Sequence, residues 1–272
     1  MKIKVFILLN KVNLLMTKFQ LASDLHIEAF NDDIKSEDFI VPYVDPITNE
    51  KCEILILAGD IGRITRFEQI KSFLKDVCSK FKLVLYVPGN QEYYKVDGMK
   101  RYTMDEINLK LKQLKKEIPN LHILNRKIVI INDVCILGCT LWSHASVPVP
   151  KFIIKIPDMT TEKYNNLHRK ELEFIKKGIE YAKSKNLKLL VVSHHCPSFD
   201  FIQDKTTQFS CFYASNLDYL FNDETNSIHT WVFGHCHKNF DVDINGTHFL
   251  SNQKGKGKTL ADNFSKNKIF EV

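Results

Sequence analysis

Seven polar side chains that can bind metal follow five apolar runs of the chain. Each run is predicted to form a strand, and the polar residues come directly after it: Asp24, His26, Asp60, Asn90, His194, His235 and His237. A carboxylate, neutral imidazoles and an uncharged amide oxygen make the mixed donor set that suits a pair of divalent ions. Two such ions about 3.5 to 4 Å apart activate a water molecule and stabilise a phosphoryl group under attack. The set therefore predicts a dinuclear site, whereas any one of these residues alone would be an ordinary cap or a satisfied polar residue.

The elements that must position these residues are readable from hydrophobic periodicity. Residues 54–58 are apolar throughout, which is typical of a strand buried on both faces. Residues 19–23, 83–87, 189–193 and 230–233 are similar runs. Side chains placed at strand ends are held by a rigid sheet, while the loops behind them are available to bind a substrate.

Helices and hairpins are predicted between and after these strands. Capping-box spacing begins at Thr65 and again at Thr103, and each is followed by apolar residues on one helical face. Residues 167–182 carry a third apolar face. Hairpin turns are expected at residues 132–133 and 245–246. Helices and strands in alternation, followed by late hairpins, indicate an α/β fold of stacked sheets covered by helices.

Length and composition favour one large domain. The chain has 272 residues, of which 44% are hydrophobic, and no break in composition divides it. We assign residues 1–16 to an N-terminal extension and residues 17–272 to the domain. The longest uninterrupted apolar stretch of the extension, residues 5–9, is shorter than a membrane span, so no transmembrane segment is expected. A membrane-associating segment is the less favoured alternative.

Charge and cysteine content limit the possible partners and the compartment. Against 32 Asp and Glu there are 38 Lys and Arg, a formal net charge of +6. This mild excess is compatible with an anionic substrate but too weak to argue for nucleic-acid binding. Seven cysteines, an odd number, argue against a disulfide framework and for a reducing, cytoplasmic location.

Two further features are open to two interpretations each. Cys196 and Cys236 lie inside two of the ligand runs, and either they contact a metal or they are small buried residues; the second is favoured. Residues 254–258, with the sequence Lys-Gly-Lys-Gly-Lys, form either a phosphate-holding loop or a solvated basic loop, and again the second is favoured.

The motifs resemble those of calcineurin-like metallophosphoesterases, a superfamily whose runs have the form D-x-H, G-D, G-N-H-[DE], H and G-H-x-H. The resemblance covers nearly everything from Thr17 onward. It implies a four-layer α/β sandwich in which two facing mixed β-sheets are flanked by α-helices. It also implies a phosphoesterase that uses two divalent ions, Mn, Fe or Zn, to activate a water against a phosphate mono- or diester. The expected substrate is a phosphorylated small molecule or nucleotide, with nucleic acid less favoured and the oligomeric state unspecified.

The resemblance also implies a role for each ligand. By position, the first metal would be held by Asp24, His26 and His237, the second by Asn90, His194 and His235, and Asp60 would bridge them. His195 follows a ligand and is assigned to a supporting or catalytic role, although the assignment between these two neighbouring histidines stays open.

Gln91 departs from the family pattern, which has a histidine at this position. That histidine is thought to stabilise the transition state or to protonate the leaving oxygen. A glutamine amide donates a hydrogen bond but gives up no proton at neutral pH, and losing a positioned general acid costs about 10²- to 10⁴-fold in rate. Three explanations compete: a substitution introduced to silence the enzyme, a natural variant in which His195, His144 or a metal-bound water replaces the acid, or a catalytically inactive metal-binding scaffold. Impaired hydrolysis is the favoured reading.

Overall fold

The apolar runs form two β-sheets in the computed structural model, which describes residues 5–9, 16–222 and 227–272. In chain order, the described residues form β1 (Val5–Leu9), β2 (Lys18–Ala22), β3 (Ile54–Ala58), α1 (Phe67–Lys80), β4 (Leu83–Val87), α2 (Met104–Glu117), β5 (Leu121–Ile123), β6 (Lys127–Ile131), β7 (Val134–Cys139), α3 (Thr161–Ser184), β8 (Lys188–Ser193), β9 (Ile228–Val232), β10 (Asp241–Ile244), β11 (Thr247–Leu250) and β12 (Ile269–Glu271). Strands therefore precede the residues with metal-binding chemistry, as predicted.

Both sheets are mixed. The smaller has the order β12-β2-β3-β4-β5 and is parallel except for the pair β12 and β2. The larger has the order β1-β6-β7-β8-β9-β11-β10, with antiparallel pairs at β6–β7 and β10–β11. These two pairs are the predicted hairpins. Asn245 and Gly246 both have positive φ, 48° and 80°, the geometry that a two-residue hairpin turn favours.

The core divides into three apolar layers, which fixes the order of the sheets and helices. Ile56 of the smaller sheet and Leu190 of the larger belong to one cluster between the sheets. Phe73 of α1 and Leu111 of α2 pack on the outer face of the smaller sheet. Phe174 of α3 packs on the outer face of the larger one. The result is the four-layer sandwich expected from the sequence.

Part of the segment assigned to an N-terminal extension lies in the larger sheet. Strand β1 runs parallel to β6, with Val5 opposite Ile128 and Ile7 opposite Ile130. Ile7 is 68% exposed, as befits an edge strand. Five residues of that segment therefore extend the sheet, and most of the others lie outside the described residues. In the part of the chain that the structure describes, no helix has the length and apolar character needed to span a membrane.

One of the two predicted capping boxes is confirmed and the other is wrong. The Thr103 hydroxyl accepts the Glu106 N–H, and the Glu106 carboxylate accepts the Thr103 N–H. Thr65 instead lies within a 3-10 turn before α1, so that Arg66 occupies the N-cap position. Ile64 and Thr65 are buried there. Packing of this turn thus displaced the start of the helix from the position that local spacing predicted.

Glu171 of α3 is a buried carboxylate that should make folding stability depend on pH. It accepts the Trp142 N–H at 2.9 Å and lies 3.7 Å from Arg126. Burial raises its pKa to about 7, although Arg126 opposes the shift. The folded state therefore binds the carboxyl proton more tightly than the unfolded chain. The protonated carboxyl contributes fully to folding stability below about pH 4.5, and this contribution is lost as the pH rises through about 7.

We expect the Glu171 carboxyl to lower the free energy of unfolding by up to about 3 kcal/mol between pH 4.5 and 8. Denaturant titrations over this pH range measure the effect. Glu171→Gln keeps an acceptor for the Trp142 N–H but does not titrate, so its profile should be flatter by the same amount. Parallel profiles for the two proteins would contradict the assignment.

Candidate metal centre

Two clusters of potential metal ligands lie where the carboxyl ends of strands from both sheets meet. Loops after β2, β3, β8 and β9 supply them, and within each cluster the ligand atoms lie within 4.8 Å of one another. The first consists of Asp24, His26 and His237, and the second of Asp60, His194 and His235. Because β2 and β3 are parallel neighbours, as are β8 and β9, their carboxyl ends share an edge.

Asp60 faces both clusters. Its Oδ1 lies 3.2 Å from His194 Nε2, and its Oδ2 lies 4.0 Å from His26 Nε2. One oxygen directed to each cluster is the arrangement that a bridging carboxylate needs. Asn90 Oδ1 lies 2.9 Å from His194 Nε2 and so extends the second cluster. The structure thus brings all seven predicted ligands together.

The donor atoms of the first cluster fit a cation. His26 Nε2 and His237 Nε2 are 3.1 Å apart, and Asp24 Oδ1 is 3.4 Å from His237 Nε2. Lone pairs of two neutral imidazoles and a carboxylate repel each other at these separations unless a proton or a metal ion lies among them. Mixed nitrogen and oxygen donors of this kind suit Zn, Fe or Mn.

Three ligand histidines, His26, His194 and His235, use one ring nitrogen to contact another group of the protein. His194 Nδ1 donates to the Ala58 carbonyl at 2.9 Å, and His235 Nε2 donates to the Phe212 carbonyl at 3.1 Å. His26 Nδ1 lies 3.3 Å from Glu28 Oε1. Such partners fix the ring orientation and the tautomer, leaving the opposite nitrogen as the ligand atom.

The carboxylates of both clusters favour positive charge on neighbouring histidines, whereas burial, His195 and His194 lower the pKa of His235 well below its usual value. Burial lowers the pKa of His26, but Glu28 and the cluster carboxylates raise it above its usual value. Burial likewise lowers the pKa of His194, yet Asp60 raises it to about 10. For Asp60 burial acts to raise the pKa, but His194 and His26 hold it well below its usual range. A divalent ion would offset the same carboxylate charge.

Glycines next to the ligands allow the loops to approach closely. A Cβ on Gly89 would lie 2.2 Å from Asp60 Oδ1, and one on Gly234 would lie 2.6 Å from Asp24 Oδ2. Neither distance is possible for a real side chain, so glycine is required at both positions. Five of the ligand residues themselves have left-handed backbone, with φ from 49° to 74°: Asp24, His26, Asp60, His235 and His237.

Glu92 supports the centre and was not predicted. It is buried and accepts N–H groups from Asp60 at 3.1 Å and Gly89 at 2.8 Å, and it accepts the Tyr86 hydroxyl at 2.6 Å. It therefore ties the loop after β3 to the loop after β4. The acidic position of the G-N-H-[DE] pattern was the available signal. Gln253, which accepts the His237 N–H at 2.6 Å, had no such signal.

Gln91 lies at the wall of the centre. Its backbone N–H donates to Asp60 Oδ1 at 2.8 Å, and its side-chain oxygen accepts from Arg63 Nε at 3.3 Å. Arg63 also lies 3.8 Å from Glu28. The carbonyl end of the Gln91 amide is thus engaged, which leaves its NH₂ group as the donor toward a ligand.

His195 is enclosed rather than presented to solvent. It is 0% exposed, its Nδ1 donates to the Thr140 carbonyl at 3.2 Å, and its ring lies 4.2 Å from that of His235. Burial and the neighbouring His194 lower its pKa to about 3, so the imidazole is neutral at pH 7. His144 is exposed and packs edge-on against His168 at 5.6 Å. A catalytic role for His195 or His144 stays a prediction.

The two cysteines within the ligand runs belong to neither cluster of described residues. Cys196 is buried, with its Sγ 3.5 Å from the Gly234 carbonyl. Cys236 Sγ lies 3.5 Å from the Lys238 carbonyl and accepts from Gln253 Nε2 at 3.1 Å. These contacts favour the packing interpretation over the ligand one.

A cavity of about 870 Å³ opens beside the clusters. Its wall includes ligands of both clusters and Gln91, so a substrate in the cavity would reach the centre. Aromatic, aliphatic and basic side chains form much of the remaining wall: Arg63, Arg66, Tyr94, Phe152, Ile153, Ile154, Lys155, Ile202, Phe212, Tyr213 and Lys256. Two acidic side chains outside the ligand set, Glu28 and Asp204, also line it. This volume lies within the range of small-molecule sites, about 300 to 1,000 Å³.

An α/β sandwich of two mixed sheets with adjoining Asp/His clusters at its strand ends defines the metallophosphoesterase class. The model of the calcineurin-like phosphoesterase family matches residues 17–239, and the chain belongs to that family. All seven candidate ligands and Gln91 lie within the matched residues.

One curated protein and two solved structures illustrate what the chain is similar to. The chain is 28% identical over 223 residues to uncharacterized protein L509 of Acanthamoeba polyphaga mimivirus, covering 74% of this chain and 78% of that protein. Phosphopantetheinyl hydrolase (PptH) from Mycobacterium tuberculosis has a similar structure, with a TM-score of 0.67 and 16% identity over 94% of this chain and 96% of that one. A putative 5′-nucleotidase from Staphylococcus aureus, in complex with alpha-ketoglutarate, gives a TM-score of 0.50 and 14% identity. That match covers 88% of this chain and 48% of the other one. These structures establish the shared fold.

Proposed function

We propose that the chain is a dinuclear metal-dependent phosphoesterase that hydrolyses phosphate mono- or diesters of small molecules or nucleotides, with its proton-transfer step weakened by Gln91. The observation that carries the proposal is Asp60, whose two oxygens face two separate ligand clusters. Two cations would explain why a buried carboxylate directs one oxygen to each cluster.

The ligand set allows a division of roles. The first metal would be held by Asp24, His26 and His237, the second by Asn90, His194 and His235, and Asp60 would join both. When bound, the ions would supply an activated water and offset the charge of the phosphoryl group. Manganese, iron and zinc all fit these donors.

The chain's own residues would orient the substrate. Arg63 and the Gln91 NH₂ group can donate to phosphoryl oxygens, and the Gln91 N–H bond to Asp60 keeps this side chain at the cavity wall. Neither group releases a proton at neutral pH. The leaving oxygen is therefore protonated less effectively than it would be by a histidine, and esters with poor leaving groups should be affected most.

A scaffold that binds metal without hydrolysis is the alternative, and Gln91 is the observation that favours it. The complete ligand set favours the enzyme, because an interaction module has no need of seven converging metal donors. A nuclease is less favoured, since the chain has a mild basic excess and few arginines. The cytoplasmic location stays a prediction.

Metal removal tests the proposal. We expect the manganese-loaded protein to cleave p-nitrophenyl phosphate or its bis-ester slowly, to lose this activity on chelation and to recover it when manganese is returned. Elemental analysis should give about two ions per chain. If two ions bind but neither the protein nor its Gln91→His variant cleaves either ester, the enzyme proposal fails and the scaffold replaces it.

A further inference from the structure

Three basic side chains line the cavity without an ion-pair partner in the described part of the chain: Arg66, Lys155 and Lys256. They come from separate segments, namely the turn before α1, the connection between β7 and α3, and the loop after β11. Arg63 differs from them because Glu28 and Gln91 already engage it. Three cations without an ion-pair partner among the described residues therefore line the same cavity, against two acidic side chains outside the ligand set, Glu28 and Asp204.

The loop that carries Lys256 is fixed by a buried cation. Lys254 is only 2% exposed; its ammonium donates to the Gly257 carbonyl and lies 4.7 Å from the centre of the Phe30 ring. Its N–H also donates to the Ser23 carbonyl at 3.0 Å. Residues 254–258 are thus anchored to the segment after β2. Lys256 and Gly257 enter the cavity wall in this arrangement.

The same cavity offers an apolar surface. Phe152 is 70% exposed and packs against Phe209 at 5.7 Å, and Tyr213 is 40% exposed with its ring 5.0 Å from that of His235. Large exposed aromatic side chains beside a catalytic centre are typical of surfaces that bind an apolar group. A phosphate alone would leave most of the cavity volume unfilled.

We propose that the substrate is a small phosphate ester whose leaving group carries both an apolar portion and a second anionic group. The scissile phosphate lies at the metal centre, the apolar portion lies against Phe152 and Tyr213, and the second anion is bound by Arg66, Lys155 and Lys256. This inference rests on the proposed function, since it assigns the substrate class of the same site.

A substrate series tests the inference on the manganese-loaded Gln91→His protein. Phenyl phosphate is compared with phenyl phosphates that carry a para-phosphonate on alkyl linkers of increasing length. We expect a higher kcat/KM for at least one linker length, expressed mainly in KM. Arg66→Ala, Lys155→Ala and Lys256→Ala should each reduce this preference about three- to fivefold, the effect of one exposed ion pair, and the triple variant should abolish it.

The chain supplies matched controls. Lys151 lies in the same connection as Lys155, and Lys258 lies in the same loop as Lys256. Both are exposed, and neither belongs to the cavity wall. Lys151→Ala and Lys258→Ala should therefore keep the preference. Hydrolysis of phenyl phosphate itself should also be unchanged in these two control variants. The inference would be overturned if the triple variant and the parent preferred the phosphonate-bearing esters equally. It would also be overturned if single-stranded oligonucleotides competed more tightly than every phosphonate-bearing ester.

A binding measurement separates this inference from the proposed function. Calorimetric titration requires no hydrolysis. The manganese-loaded protein is titrated with phenylphosphonate and with derivatives that carry a second phosphonate on each linker of the series. The inference is supported, even if no ester is cleaved, when a ligand with two phosphonate groups binds more tightly than phenylphosphonate and the triple variant loses this difference. Equal binding of phenylphosphonate and all of these derivatives overturns it, whatever the hydrolytic activity.

Discussion

Asp60→Ala should lower hydrolysis by at least ~10³-fold and reduce the bound metal from two ions per chain to at most one. The carboxylate faces both clusters, and its loss removes the charge that most raises the pKa of His194. Metal stabilisation of a phosphoryl transition state is worth several kcal/mol, and about 1.36 kcal/mol corresponds to a factor of ten in rate. Elemental analysis and the steady-state rate under saturating manganese measure the two effects.

Asp204→Asn is the matched control for Asp60→Ala. Asp204 is an exposed carboxylate at the cavity wall and belongs to neither cluster. Its substitution should leave both ions and the rate in place. Circular dichroism of both variants distinguishes loss of the site from loss of the fold. Two ions per chain in folded Asp60→Ala would show that Asp60 is not the bridging ligand.

Gln91→His should raise the rate of hydrolysis by about 10²- to 10⁴-fold, the usual contribution of a positioned general acid. The Gln91 N–H bond to Asp60 uses the backbone and so survives the change, which keeps the new imidazole at the cavity wall. The gain should be larger for alkyl than for p-nitrophenyl esters, because an alkoxide depends more strongly on protonation as it leaves. The rate of the variant should also fall at high pH as the imidazole loses its proton.

Gln203→His controls for the mere presence of another histidine in the cavity. Gln203 is exposed and lies at the same wall. We expect no comparable gain from this variant and no dependence on the leaving group. Similar rates for Gln91→His and the parent protein, with two ions bound in both, would favour an acid elsewhere or a scaffold.

The sequence was sufficient for features that depend on local pattern. Apolar runs followed by Asp, His or Asn gave the strands and the ligand positions, because the carboxyl ends of parallel strands meet at one edge. The cap at Thr103 and both hairpin turns are local in the same way. Asp60 was assigned a bridging role by resemblance, and the distances to His26 and His194 are compatible with that role.

What the sequence did not reveal depends on contacts between remote segments. The cap at Thr65 failed because tertiary packing formed a 3-10 turn there. The short apolar stretch that forms β1 gave no indication that it would pair with β6, more than a hundred residues away. Gln253 became informative only through the His237 N–H that it accepts, and Arg66 and Lys155 only through the cavity that they line.

The left-handed backbone at five ligand residues sets a second requirement on those positions. Such a conformation costs a non-glycine residue roughly 1 to 2 kcal/mol, so the folded protein must offset strain at each of them. A replacement side chain there has to supply a suitable donor atom and also tolerate a positive φ, which few residue types do.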